Sequence, residues 1–121
     1  MNAINLEQKF SLFSDQWSPK VIGEMNGQYV KLAKIEGEFV WHAHEHEDEL
    51  FYIVKGDLTL KFRDGEVRLK PGDMHIVPMG VEHLPIAHEE TWVMLIEPKA
   101  TAHTGEIESD ITVAIEDQTW I

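Results

Sequence analysis

The feature that most constrains the fold of this chain is the close spacing of its turn signals. The glycine, proline and asparagine residues that favour tight turns recur at Asn26-Gly27, Glu36-Gly37, Gly56-Asp57, Asp64-Gly65, Pro71-Gly72, Pro78 with Gly80, and Pro98. The segments between them have the length of β-strands. A chain of short segments separated by tight turns is typical of a β-sandwich or a β-barrel.

Four of the segments between turns are rich in β-branched and aromatic residues, as strands are. They are Gln28 to Ile35, Glu49 to Val54, Leu58 to Phe62 and Thr91 to Glu97. In the third segment apolar and polar residues alternate, which predicts a strand with one face in water. The second and fourth segments are apolar on both faces, so each needs a second covering surface. Either the N-terminal segment or a partner subunit could provide it.

The N-terminal segment has the pattern of a short amphipathic helix. Its large apolar residues recur at mostly three- and four-residue intervals, at Ile4, Phe10, Phe13 and Trp17. Asn5 followed by Gln8 resembles a helix-capping pair. We therefore predict a helix within Ile4 to Trp17.

No internal repeat, low-complexity stretch or linker divides the chain. We predict one all-β domain over residues 1–121, with a helical N-terminal segment at 1–17, a barrel at 18–100, and a C-terminal strand and tail at 101–121. Within the tail, Ile111 to Ile115 has the composition of a strand. We expect the tail to pack against the barrel or across a dimer.

The composition excludes several classes of partner and site. The 121 residues include 22 acidic and 10 basic side chains, and a net charge of −12 repels phosphate backbones and anionic lipids. We therefore expect neither nucleic acid nor a membrane as a partner. The chain has no cysteine, so disulfides, thiolate metal sites and cysteine nucleophiles are excluded. We expect a cytoplasmic protein.

The densest polar stretch of the chain, residues 41–49, precedes one of the predicted strands. Such a stretch could be a solvated loop, as charge clusters usually are. However, residues i and i+2 of an extended segment face the same way, so His42 and His44 can present two imidazoles to one point. Glu49 opens the next strand and could return to that point. Imidazole and carboxylate ligands together suit Zn, Fe, Mn, Ni or Cu.

Two motifs in the chain resemble those of the cupin family. The first is a glycine, His-x-His, a glutamate and a glycine, at Gly37, His42, His44, Glu49 and Gly56. The second is Gly, Pro, Gly and His, at Gly72, Pro78, Gly80 and His83. Two details depart from the family pattern. Four residues separate Gly37 from His42, one fewer than usual, and Ala87 stands where the family often has asparagine.

The resemblance implies a fold and a metal site. The fold would be the double-stranded β-helix of a small single-domain cupin, also called a jelly-roll barrel. The ligands of one divalent transition metal ion would be His42, His44, Glu49 and His83, with Fe, Mn, Ni, Zn and Cu not distinguished.

Three nearby residues leave the ligand set open at this point. Asp48 would replace Glu49 if the strand register slipped by one residue. His46 shares the parity of the two motif histidines but lies beyond the motif, so a surface position or a supporting role is expected. His75 lies between apolar residues and is expected to be structural or to carry protons near the site. His88 and His103 have the context of surface residues.

Several functions are compatible with such a site, because one fold hosts many activities. The first hypothesis is a metal-dependent enzyme, of dioxygenase, isomerase or lyase type, acting on a small oxygen-rich metabolite. The second is a non-catalytic barrel that binds a metal or a metabolite. Under either hypothesis the partner is a small molecule. The strands that are apolar on both faces further predict a homodimer.

Overall fold

The computed structural model describes residues 2–99 and 119–121. It contains one short helix and eight strands in this described part of the chain. In chain order these are α1 Leu6–Phe10, β1 Lys20–Met25, β2 Gln28–Glu38, β3 Glu49–Lys55, β4 Leu58–Phe62, β5 Gly65–Leu69, β6 Met74–Val77, β7 His83–Pro98 and β8 Thr119–Trp120. The expected β-rich architecture with a short N-terminal helix is confirmed.

Strand β7 organises the sheet because it pairs along both of its edges. On one edge it runs antiparallel to β2 over nearly its whole length. On the other edge its first part pairs with β4 and its last part with β3. β6 then pairs with β3, β5 with β4, and β1 with β2. The sequence-based prediction placed a strand only over Thr91 to Glu97 and so missed the first half of β7.

The larger of the two apolar clusters among the described residues lies on the inner face of the sheet. Its buried side chains come from six strands, β2 to β7, and alternate along each strand with residues that face outward. The cluster consists of Ala33, Ile35, Phe51, Ile53, Leu58, Leu60, Leu69, Val77, Ala87, Val93 and Leu95. One face of each strand is thereby buried in the interior of a barrel.

The helix is shorter than the apolar pattern predicted. The side chain of Asn5 caps its N-terminus by accepting a hydrogen bond from the backbone N–H of Gln8 at 2.9 Å, as expected. The helix ends at Phe10, and the hydroxyl of Ser11 donates back to the carbonyl oxygen of Gln8. Trp17 has a φ of +59°, which a helix cannot contain. No helix of the described residues has the length and apolar character needed to cross a bilayer.

The N-terminal segment covers part of the sheet's outer face. Phe10 is fully buried there, with its ring stacked on that of Trp92 at a centroid distance of 4.8 Å. Val54 and Met94, which point outward from β3 and β7, pack with Phe10 in a second apolar cluster on this outer face. The segment therefore supplies one of the two coverings expected for the strands that are apolar on both faces.

The last described residues also contact this covered face. Thr119 and Trp120 form β8, which pairs in parallel with the start of β1. Ile121 packs into the cluster around the helix, and its carbonyl oxygen accepts a hydrogen bond from Nζ of Lys9 at 2.6 Å. The strand predicted at Ile111 to Ile115 and the surface position predicted for His103 lie outside the described residues.

Gly56 lies where β7 changes partner from β3 to β4. Its φ is +103°, and a Cβ atom at this position would lie 2.7 Å from Cα of Thr91 and 2.9 Å from the carbonyl oxygen of Glu90. Both neighbours are backbone atoms that cannot move aside. We expect Gly56→Ala to lower the free energy of unfolding by about 2 to 3 kcal/mol, because overpacking adds to a left-handed backbone conformation.

Urea unfolding of this variant beside Gly65→Ala checks the expectation. A Cβ atom at Gly65 meets no heavy atom within 4 Å, and its φ is not positive. The Gly65 variant should therefore stay within about 0.5 kcal/mol of the wild type. Equal stabilities for the two variants would show that the close approach at Gly56 is not a constraint on the fold.

Candidate metal centre

Three histidines and one glutamate converge at one end of the barrel interior. His42 and His44 lie between β2 and β3, Glu49 is the first residue of β3, and His83 is the first residue of β7. All four are buried, and one nitrogen or oxygen atom of each lies within 4.8 Å of those of the others. The structure thus brings together the four residues that the cupin resemblance selected as ligands.

Backbone pairing between the two motifs brings these side chains together. The backbone N–H of His42 donates to the carbonyl oxygen of His83 at 3.1 Å, and the reverse bond measures 2.9 Å. This isolated bridge places the two imidazoles 4.3 Å apart between ring centroids. Gly80, in the second motif, donates its backbone N–H to the carbonyl oxygen of His44 at 2.8 Å. The turn of the second motif therefore holds the first motif in place.

Local hydrogen bonds orient two of the imidazole rings. Nδ1 of His42 lies 2.9 Å from the carbonyl oxygen of Val40, and Nδ1 of His83 lies 3.0 Å from that of Val81. A carbonyl oxygen can only accept, so the hydrogen is assigned to Nδ1 and the lone pair to Nε2. Histidines that bind metals are usually held in this way by their other ring nitrogen.

Two ring nitrogens in this group lack hydrogen-bond partners and lie near the carboxylate of Glu49. Nε2 of His44 and Nε2 of His83 are buried, and neither has a hydrogen-bond partner among the described residues. Oε1 of Glu49 lies 3.3 Å from the first and 3.7 Å from the second, without the alignment of a hydrogen bond. Because buried polar atoms are rarely left unsatisfied, this arrangement fits a bound cation.

The charges of the group also suit a cation. Burial and the neighbouring charge of His83 lower the pKa of His42 to about 4, so its ring is neutral at pH 7. Burial opposes the charged form of Glu49. The hydrogen bond with Glu97 and the nearby imidazoles of His44 and His83 outweigh this effect, and they hold the pKa of Glu49 well below its usual range. Burial likewise disfavours a charged His44, yet the Glu49 carboxylate outweighs it and raises the pKa of His44. A neutral imidazole and a carboxylate are the ligand forms that divalent transition metals bind.

The structure separates this group from the residues that left the ligand set open. Asp48 is exposed, and its Oδ1 accepts a hydrogen bond from the backbone N–H of Met79 at 2.8 Å. His46 is exposed as well. His75 is half-buried on β6, with its ring centroid 5.7 Å from that of Phe62. None of the three belongs to the group of converging ligand atoms.

A buried ion pair that the sequence analysis did not single out lies behind Glu49. Nζ of Lys31 lies 2.9 Å from Oε1 of Glu97, and the side chains of both residues are 0% exposed. The signal was present in the sequence, since Lys31 shares the inward parity of Ala33 in β2, and Glu97 shares that of Leu95 in β7. Charged residues at core positions of strands are rare unless they are paired.

This pair is joined to the metal group through Glu97. Burial and the negative charge of Glu49 raise the pKa of Glu97 well above its usual range. Oε2 of Glu97 is buried and has no hydrogen-bond donor while both carboxyl groups are ionised. A hydrogen bond between the two carboxyl groups contributes to the raised pKa of Glu97 and to the lowered pKa of Glu49. The ammonium of Lys31 then compensates the charge that the two carboxyl groups retain.

A cleft leads from the surface to the metal group. Its empty volume is about 450 Å³, including the open mouth. The residues that line it are Trp17, Pro19, Ala33, Ile35, Phe39, His42, Glu49, Phe51, Pro85, Val93 and Leu95. Among these described residues only His42 and Glu49 carry ionisable side chains. Phe39 and Phe51, which composition alone places in the core, therefore also face the cleft.

Comparison with known proteins identifies the family. A family model described as a cupin domain matches residues 28–98, more than half of the chain and including all four converging residues. This chain belongs to the cupin family. The cupin (jelly-roll) fold and the single-domain size expected from the two motifs are confirmed.

Individual relatives share most of this cupin's length. A cupin-2 domain protein of known structure from Shewanella frigidimarina is 52% identical and has a TM-score of 0.78, with 79% of this chain and 94% of that chain covered. The uncharacterized protein YdbB of Bacillus subtilis is 35% identical over 80% of this chain and 79% of its own length. The 3-hydroxyanthranilate 3,4-dioxygenase of Xenopus laevis is 29% identical over 78% of this chain but only 36% of its own length.

Proposed function

We propose that this cupin is a metal-dependent enzyme that acts on a small organic molecule. One divalent ion of Fe, Mn, Ni, Zn or Cu would be held by His42, His44, Glu49 and His83. The molecule would bind the ion through its own oxygen atoms. The observation that carries this proposal is the pair of buried Nε2 atoms that have no hydrogen-bond partner and face a buried carboxylate.

The residues of the site define how such an enzyme would work. A bound ion with four protein ligands supplies Lewis-acid or oxygen-activating chemistry at its remaining coordination positions. His42 and Glu49, the two ionisable groups among the described residues of the cleft, are both candidate ligands. The chain therefore offers no separate general acid or base there, so its own contribution is to hold the ion, orient the molecule and exclude water. The similarity to a dioxygenase supports an oxygen-activating reaction over the isomerase and lyase types.

The alternative function is a non-catalytic barrel that binds a metal or a metabolite. The only ionisable groups among the described lining residues, His42 and Glu49, are themselves candidate ligands. This favours the alternative, because the cleft then has no independent group for proton transfer. Under this alternative the metal contributes to stability and ligand binding but not to turnover.

Reconstitution of the metal-free protein separately with the five ions distinguishes the two functions. Each form is incubated in air with a panel of small oxygen-bearing chelators, while oxygen consumption and product formation are followed. The enzyme proposal predicts turnover with at least one ion and its loss in a His42→Ala, His83→Ala double variant. Stoichiometric metal binding without turnover of any panel member would favour the binding barrel.

We also propose that the cupin forms a homodimer through the part of the outer face that the N-terminal segment leaves open. Met74 and Ile76 of β6 are 52% and 49% exposed. They pair with Tyr52 and Leu50 of β3, whose side chains are only partly buried. A contiguous apolar face of this kind is typical of a protein interface.

Light scattering coupled to size-exclusion chromatography tests the dimer at micromolar concentration. We expect a dimer for the wild type and a monomer with unchanged circular dichroism for Ile76→Asp, because a buried interface does not tolerate an unpaired charge. Met25→Asp is the matched control, since Met25 is 58% exposed near the end of β1, away from this face. A monomeric wild type would contradict the proposal.

A further inference from the structure

We infer that the cleft accepts a small, flat and mainly apolar molecule, with its metal-binding oxygens at one edge. This inference rests on the proposed metal site and specifies the substrate class. The oxygen atoms of such a substrate would lie only at the end that faces the ion.

The ionisable groups among the described lining residues of the cleft all belong to the metal group. His42 and Glu49 both belong to the metal group at its inner end. The rest of the lining is apolar and includes alkyl side chains that point inward from β2 and β7, such as Ile35 and Val93. Among the described lining residues there is no lysine, arginine, amide or hydroxyl side chain to meet a phosphate, a distant carboxylate or a row of hydroxyls.

The energetic consequence is a strong preference between ligand classes. A hydroxyl or phosphate group buried against these walls would lose its hydrogen bonds to water and gain none in return. Apolar surface placed in the same space gains free energy with every part removed from water. Polyols and sugar phosphates are therefore disfavoured, although their oxygens could bind the ion itself.

Trp17 and Phe39 form an aromatic wall of the cleft. The ring of Trp17 lies parallel to that of Phe39, with a centroid distance of 4.5 Å and an interplanar angle of 4°. The ring of Phe39 in turn meets that of His42 edge-on, with centroids 5.3 Å apart. Aromatic rings thus line the cleft next to the metal group, and an aromatic ligand can make face or edge contacts with them that a branched alkyl chain cannot make.

Trp17, which belongs to this aromatic wall, has an unfavourable backbone conformation. Its φ of +59° is unusual for a bulky residue. Three contacts secure it: the backbone N–H donates to the carbonyl oxygen of Lys34 at 2.9 Å, indole Nε1–H donates to that of Glu36 at 3.2 Å, and the ring stacks on Phe39. Strained backbone that is held in place in this way is concentrated at ligand-binding sites.

Three hydroxamates that share one metal-binding group test the inference directly. Acetohydroxamate carries a methyl group, benzohydroxamate a flat ring, and gluconohydroxamate a polyhydroxylated chain. Their dissociation constants are measured by calorimetry on protein shown to contain one equivalent of metal. We expect benzohydroxamate to bind about 10- to 100-fold more tightly than acetohydroxamate, because only the ring gains from the apolar walls. Gluconohydroxamate should bind no more tightly than acetohydroxamate.

The outcomes separate this inference from the proposed metal site. Equal affinities for benzohydroxamate and acetohydroxamate, or tightest binding of gluconohydroxamate, would overturn the substrate class and leave the metal site standing. Failure of the protein to bind metal would overturn the proposed function and this inference together. Binding of metal without binding of any hydroxamate would show that the cleft gives no access to the ion, and would overturn the inference.

A variant of the aromatic wall provides an independent check. Trp17→Gly removes the ring and relieves the positive φ, and it should weaken the binding of benzohydroxamate at least about fivefold more than the binding of acetohydroxamate. Trp120→Gly is the matched control, because Trp120 is 54% exposed and lies on β8 outside the cleft. An unchanged preference in metal-loaded Trp17→Gly would contradict a role of this wall in recognition.

Discussion

Replacing Lys31 by methionine is expected to lower the free energy of unfolding of the metal-free protein by about 3 to 5 kcal/mol. The ammonium of Lys31 lies 2.9 Å from the carboxyl group of Glu97, and neither side chain is exposed. Without it, Glu97 and Glu49 would occupy the interior with no compensation from this cation. The loss is a large fraction of the total stability of a domain of this size. Urea unfolding followed by circular dichroism measures it.

A double variant isolates the cause of this loss. Lys31→Met combined with Glu97→Leu removes both members of the pair and fills similar volumes with apolar groups, so most of the lost stability should return. If the double variant is no more stable than Lys31→Met, the loss comes from packing and not from the uncompensated carboxyl group. A loss below about 1 kcal/mol in Lys31→Met would show that the pair contributes little to the fold.

Loading the wild-type protein with its divalent ion is expected to raise Tm by about 15 °C. An ion at about 1,000 times its Kd stabilises the folded state by about 4 kcal/mol, and each kcal/mol shifts the Tm of a domain of this size by about 4 °C. In His83→Ala the same ion should raise Tm by no more than about 6 °C, because the variant lacks one ligand and binds the ion more than about 100-fold less tightly.

Differential scanning calorimetry with each of the five ions, at fixed protein and ion concentrations, measures these shifts. His46→Ala is the matched control: His46 is an exposed histidine close to the motif, outside the converging group, and its variant should respond as the wild type does. An equal shift in wild type and His83→Ala for every ion would mean that the ions bind elsewhere.

The two motifs predicted which four side chains converge, but they did not predict several features of the rest of the fold. The two motifs selected His42, His44, Glu49 and His83, and the structure brings those four side chains together. The backbone bridge between His42 and His83, which brings the two motifs together, is seen only in the structure. Whether Glu49 or Asp48 faces inward depends on the register of β3, which its continuous apolar run leaves open and its pairing with β6 and β7 determines.

Features that depend on distant pairing were not predicted. Lys31 and Glu97 are far apart in sequence, and only the β2 and β7 ladder makes them an ion pair. The first half of β7 has no strong strand signal in its own sequence. It forms a strand because it pairs with β2 on one edge and β4 on the other. The helix is shorter than its apolar spacing indicated, because Phe13 and Trp17 pack on the barrel from non-helical backbone.

The most direct test of the metal centre is elemental analysis of untagged protein purified without chelator, beside a His42→Ala, His83→Ala double variant. We expect about one equivalent of a transition metal in the wild type and a large loss in the variant, which lacks half of the candidate ligands. The same metal content in both proteins, or no metal in either after reconstitution, would contradict it.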